Sequence, residues 1–164
     1  METKIIVAGI GPGAREYLLP AAKTAINGAR YLVGGKRALG DYAQPHQTTR
    51  VIDRDIQQTL DFIADALQHD DVVVMVSGDP GFHSFLTRLR VVFGAQRLVV
   101  IPGISALQVA FARLALPWQD AAFLSLHGNE ESEASLAYRP GRALGLLLDH
   151  KMHAAAAAKK LQAC

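Results

Sequence analysis

The chain has 164 residues, 17 of them Lys or Arg and 15 Asp or Glu, for a formal charge of +2, and half of all residues are apolar. This balance excludes a disordered polyelectrolyte and offers no dedicated nucleic-acid or polyanion surface. One cysteine, Cys164, allows no internal disulfide and no Cys-based zinc site, and no apolar run reaches the roughly 18–20 residues of a membrane span, so a cytoplasmic setting is expected.

Ile5-Ile6-Val7-Ala8 is continuously apolar and reads as a buried parallel strand, broken by Gly9-Ile10-Gly11-Pro12-Gly13. Helical spacing runs from Tyr17 to Ala29, and Tyr31-Leu32-Val33 is a short strand stopped by Gly34-Gly35. Residues 36–50 are polar and turn-rich, with one helical turn around Lys36–Asp41. Ile56, Leu60, Ile63, Ala64 and Leu67 form an amphipathic stripe. Val72–Val76 is the strongest strand and leads into Ser77-Gly78-Asp79-Pro80-Gly81. A helix marked by Phe85, Leu86, Leu89 and Val92 follows, then the strand Leu98–Ile101, broken by Pro102-Gly103. The next helix covers Leu107–Leu116 and is ended by Pro117.

This alternation predicts an α/β domain over residues 1–116, with a parallel sheet covered by helices. Leu116–Asp120 reads as a linker to a second unit, 117–164, with strands at Ala122–Leu126 and Leu144–Leu148 and an Ala-rich helix at His153–Leu161. So few elements make a poor independent core. They either extend the first sheet or belong to a truncated second α/β domain.

Three glycine loops each follow a strand and precede a helix: Gly9–Gly13, Ser77–Gly81 and Pro102–Ser105. In a parallel sheet they share the carboxyl edge, where ligands bind. The first loop falls short of a dinucleotide fingerprint because Ala14 stands where the third glycine belongs. Asp79 is placed to cap the following helix, with Pro80 as its first residue, and Ser105 to cap the next. Arg15, Lys36 and Arg37 are suited to substrate carboxylates. His83 and His127 stand nearer these loops than the other histidines. The histidines have no metal-ligand spacing, and no nucleophile elbow is present.

The three loops and their intervals resemble the tetrapyrrole methylase superfamily. The residues concerned are Val7–Gly13 with Tyr17-Leu18, Val76–Phe82, and Ile101–Gln108 continuing through Phe111–Leu114. Leu32–Arg37, Leu116–Asp120 and Leu126–Gly128 are similar to the branch that methylates C5 of precorrins or cobalt-precorrins in cobalamin biosynthesis. The resemblance implies two α/β domains with S-adenosylmethionine folded in a trough between them. It assigns Gly78, Asp79, Pro80, Gly81, Ile104, Ser105, Ala106 and His127 to the cofactor. Gly9, Gly11, Pro12, Gly13, Arg15, Lys36 and Arg37 fall on the tetrapyrrole side. It further implies a homodimer, a separate C15-methylating and decarboxylating partner, no catalytic side chain, no metal, and a second domain shortened after residue 161. Two other readings are a truncated or inactive tetrapyrrole-binding subunit and a nucleotide-dependent oxidoreductase. The latter requires an acidic residue near position 33, where Leu32-Val33-Gly34-Gly35 stands.

Overall fold

A computed structural model describes residues 2–126, 141–148 and 153–163. The chain divides into two compact units, Met1–Ala106 and Leu107–Cys164. The division falls at the start of a helix, α5 (Ala106–Arg113), whereas the domain limit read from the sequence lies at its far end.

The first unit alternates strand and helix: β1 (Ile5–Gly9), α1 (Pro20–Gly28), β2 (Tyr31–Gly34), α2 (Lys36–Tyr42), β3 (Thr48–Val51), α3 (Ile56–Ala66), β4 (Val72–Val76), α4 (Leu86–Phe93) and β5 (Leu98–Ile101). The five strands form one parallel sheet in the order β3-β2-β4-β1-β5. Both faces of the sheet are covered, so β4 must be apolar on both sides. Val72, Val74 and Val76 join Leu60 and Ile63 of α3 and Leu89 of α4. Val73 and Met75 join Ala22 and Ile26 of α1 and Ala38 and Leu39 of α2 on the other face. Burying each of the valine, leucine, isoleucine and methionine side chains contributes about 1.5–3 kcal/mol.

Several local expectations needed correction. The stretch over residues 36–50 holds a full helix, α2, and an edge strand, β3. Thr48 and Thr49 are exposed, so β3 carries no apolar alternation and forms because β2 presents an unpaired edge. Tyr17 lies in a short 3-10 turn, Arg15–Tyr17, and the α-helix starts at Pro20, a favoured first position. Asp55 caps α3, its carboxylate accepting from Gln58 N at 3.1 Å. The helix read as ending at Pro117 stops at Arg113. Ala115 adopts φ 51, Ala115 N donates to Ala112 O and Leu116 N to Phe111 O, which is a Schellman stop with alanine in the usual glycine position.

In the second unit β6 (Ala122–Ser125) and β7 (Leu144–Leu147) pair in parallel as a separate two-stranded sheet, and α6 (Ala154–Ala163) follows. They do not extend the first sheet. Phe123 stacks edge-on with Phe111 and with Trp118. Among the described residues no helix is long and apolar enough to cross a membrane.

Candidate functional site

The strand order decides where a ligand can enter. The connection from β1 runs to β2 on one side, and the connection from β4 runs to β5 on the other. Right-handed crossovers then place α1 and α4 on opposite faces. Loops leaving adjacent strands in opposite directions open a crevice at their carboxyl ends. Here the adjacent pair is β4 and β1, and the loops are Ser77–Gly81 and Gly9–Gly13.

The two loops bond directly. Gly78 N donates to Gly11 O at 2.8 Å and Gly11 N to Gly78 O at 3.3 Å. Both residues have positive φ, +67° for Gly78 and +74° for Gly11, a region that favours glycine. The third loop closes in from β5. A Cβ at Gly9 would lie 2.7 Å from Gly103 Cα and 2.8 Å from Gly78 O, so three backbones meet where no side chain fits. Gly103 is central to this junction, yet the sequence marks it only as a member of the third loop and not as a site residue.

Asp79 does not start a helix. The segment after it stays non-helical to Phe85, and Ser84 Oγ accepts from Leu86 N at 3.1 Å at the start of α4. The Asp79 carboxylate instead accepts from Gly81 N at 2.8 Å and from Gly103 N at 3.0 Å. Pro80 is buried under the loop, and Ile104, Ser105 and Ala106 lead into the first turn of α5. His83 is exposed with φ 48, its ring 4.6 Å from that of Phe82.

The expected tetrapyrrole-side residues also gather at the carboxyl edge. Arg37, on the first turn of α2, lays its guanidinium against Gly13, with Nη2 3.4 Å from where a Cβ would stand. Arg15 Nη2 donates to Asp41 O at 3.3 Å, near the end of the same helix. Lys36 opens α2 and is exposed. Arg15 and Arg37 thus flank the first loop, and Pro12 is half-buried within it. His127 lies outside the described residues. The opposite, amino edge carries a different charge cluster. There Glu2 meets Lys4 Nζ and Arg97 Nε, each at 3.1 Å. The hydrogen bond from Lys4, then the Arg97 charge, hold its carboxyl below the ordinary glutamate range.

The family model of the Tetrapyrrole (Corrin/Porphyrin) Methylases matches residues 4–164. A cobalt-precorrin-7 C(5)-methyltransferase of Salmonella typhimurium is 38% identical over 133 residues, 81% of this chain. The chain spans 66% of that relative's length. A crystal structure of precorrin-6Y methylase from Archaeoglobus fulgidus superposes with TM-score 0.70 and 27% identity, covering 91% of this chain and 74% of that one. A uroporphyrin-III C-methyltransferase from Thermus thermophilus, complexed with S-adenosylhomocysteine, shares the fold with TM-score 0.68 and 21% identity, covering 97% of this chain and 72% of its own.

Proposed function

The chain belongs to the tetrapyrrole (corrin/porphyrin) methylase family, and from that premise we propose that it is an S-adenosylmethionine-dependent methyltransferase. Its substrate on this reading is a tetrapyrrole intermediate of cobalamin biosynthesis. The position methylated is the C5 meso carbon of a precorrin or cobalt-precorrin, which the 38% identity to the Salmonella C(5)-methyltransferase supports. The observation that carries the proposal is the side-chain-free junction of Gly9, Gly11, Gly78 and Gly103 at the carboxyl edge.

The junction itself is closed by backbone contact, and on this reading the donor lies along the segments that lead from it. A nucleoside with an amino-acid tail needs bare backbone along which to lie and amide and carbonyl groups to fix it. The segments Gly78–Gly81 and Ile104–Ala106 supply both. When bound, the sulfonium donor supplies an already activated methyl group. The protein's task is then alignment: its loops hold the acceptor carbon, the methyl and the sulfur in line and in contact. The Gly9–Gly13 loop faces the ring, and Arg15, Lys36 and Arg37 receive peripheral carboxylates. No general base is assigned, since a nucleophilic carbon needs none for the attack. The reading carries with it the family expectations of a homodimer and of a separate C15-methylating partner.

Two observations weigh against a nucleotide-dependent oxidoreductase. The end of β2 is Val33-Gly34-Gly35, without the carboxylate that would take a ribose hydroxyl. β4 also lies between β1 and β2, where a dinucleotide fold keeps those strands adjacent.

Calorimetry of the full chain with S-adenosylmethionine and S-adenosylhomocysteine tests the proposal. Saturable binding of both is expected, and silence at millimolar ligand would overturn it in favour of a non-enzymatic tetrapyrrole-binding role.

A further inference from the structure

β4 and β5 are not neighbours in the sheet; β1 lies between them. Their ladders therefore bond to β1 and not to each other. The β1–β5 register ends at Ala8 opposite Ile101, while β1–β4 continues to Gly9 opposite Val76. Beyond Ile101 the backbone of the third loop has left the sheet, and there Gly103 N donates to Asp79 Oδ2 at 3.0 Å. That bond spans the end of β1. It can do so because Gly9, beneath it, has no side chain to hold the two loops apart. The other oxygen of Asp79 folds its own loop by accepting from Gly81 N at 2.8 Å. One carboxylate thus fixes the shape of the second loop and its distance from the third.

We propose that Asp79 is a positioning residue that clamps the loops after β4 and β5 together across the end of β1. Its carboxylate sets the width of the donor site through the Gly103 amide and leaves any contact with the donor to the backbone of its loop. The role in donor binding rests on the function proposed above; the clamp itself does not. A charge-assisted bond to an otherwise unheld amide is among the stronger single contacts, so its loss is felt as about tenfold to hundredfold in whatever depends on it.

The test uses Asp79→Ala and Asp79→Asn in the full chain, with three measurements. They are hydrogen exchange at the Gly103 and Gly81 amides, S-adenosylhomocysteine affinity by calorimetry, and the urea midpoint as a check on folding. In Asp79→Ala both amides are expected to exchange at least about tenfold faster, and affinity to fall by a similar factor. Asparagine has one carbonyl oxygen and cannot serve both amides, so its affinity is expected between those of wild type and Asp79→Ala. Loss of affinity with unchanged Gly103 exchange would mean that the carboxylate touches the donor directly, and the positioning role would fall. Faster Gly103 exchange with unchanged affinity would equally overturn it. If the wild-type chain binds no S-adenosylhomocysteine, the donor reading fails, and the clamp stands or falls on Gly103 exchange alone.

Discussion

Gly103→Ala is the sharpest perturbation of the junction. A Cβ there would stand 2.9 Å from both Cα and C of Gly9 and closer still to Gly78 O. Carbon atoms at ordinary contact are about 3.5–4.0 Å apart, so the shortfall approaches ~1 Å. All three obstructing atoms are backbone, two at the end of β1 and one in the loop after β4, and have no rotamer to relieve them. The third loop must move away from β1, and the Asp79–Gly103 bond breaks with it. Overpacking of this kind costs about 1–3 kcal/mol and a lost charged hydrogen bond about 1.5–3, together about 2.5–6 kcal/mol. That is a large share of the roughly 5–15 kcal/mol that holds a typical domain. Urea unfolding followed by far-ultraviolet circular dichroism measures it, since Trp118, the one tryptophan, lies in the second unit. Gly40→Ala is the matched control: Gly40 is an exposed position within α2 with nothing within 4 Å of an added Cβ. There the same substitution should stabilise by about 0.5–1 kcal/mol. A Gly103→Ala protein within about 0.5 kcal/mol of wild type would refute the reasoning, because the three loops could not then be in contact as described.

Other consequences are open to measurement. Leu89→Ala removes a fully buried side chain of α4 and should cost about 2–5 kcal/mol in urea unfolding. Ala115→Gly relieves a left-handed alanine at the α5 stop. Offset by unfolded-state entropy, it should stabilise the second unit by about 0.5 kcal/mol, visible in the fluorescence of nearby Trp118. On the proposed function, Arg37→Ala should weaken binding of the tetrapyrrole substrate while leaving S-adenosylhomocysteine affinity unchanged; unaltered tetrapyrrole binding would remove Arg37 from the substrate side. The carboxyl of Glu2 titrates lower in the folded chain than in the unfolded one. Its contribution to stability is therefore whole above the ordinary glutamate range and is lost as pH falls through that range toward the folded value. Glu2→Gln should flatten that part of the acid-unfolding profile, and an unchanged profile would show that the pairs with Lys4 and Arg97 are immaterial.

The strand–helix alternation, the central strand Val72–Val76 and the three glycine loops are legible in the sequence because each reflects local burial or local backbone freedom. A strand covered on both faces must be apolar throughout, and a loop that turns tightly or admits another backbone keeps glycine. The same local logic missed β3, whose exposed threonines carry no burial signal. It also read Asp79 as a helix cap, since a carboxylate followed by proline matches that pattern wherever it occurs. One of the two amides that Asp79 accepts from lies 24 residues away, and nothing near Asp79 in the chain encodes that contact. The placing of β4 between β1 and β2 is likewise a property of the assembled sheet. That order brings the Gly9, Gly78 and Gly103 loops to one point and carries Arg37 to Gly13. Composition and periodicity therefore determined which segments form strands, helices and loops. Only the tertiary structure decided which loops meet, because contact across the sheet depends on strand order and crossover direction, which no local pattern records.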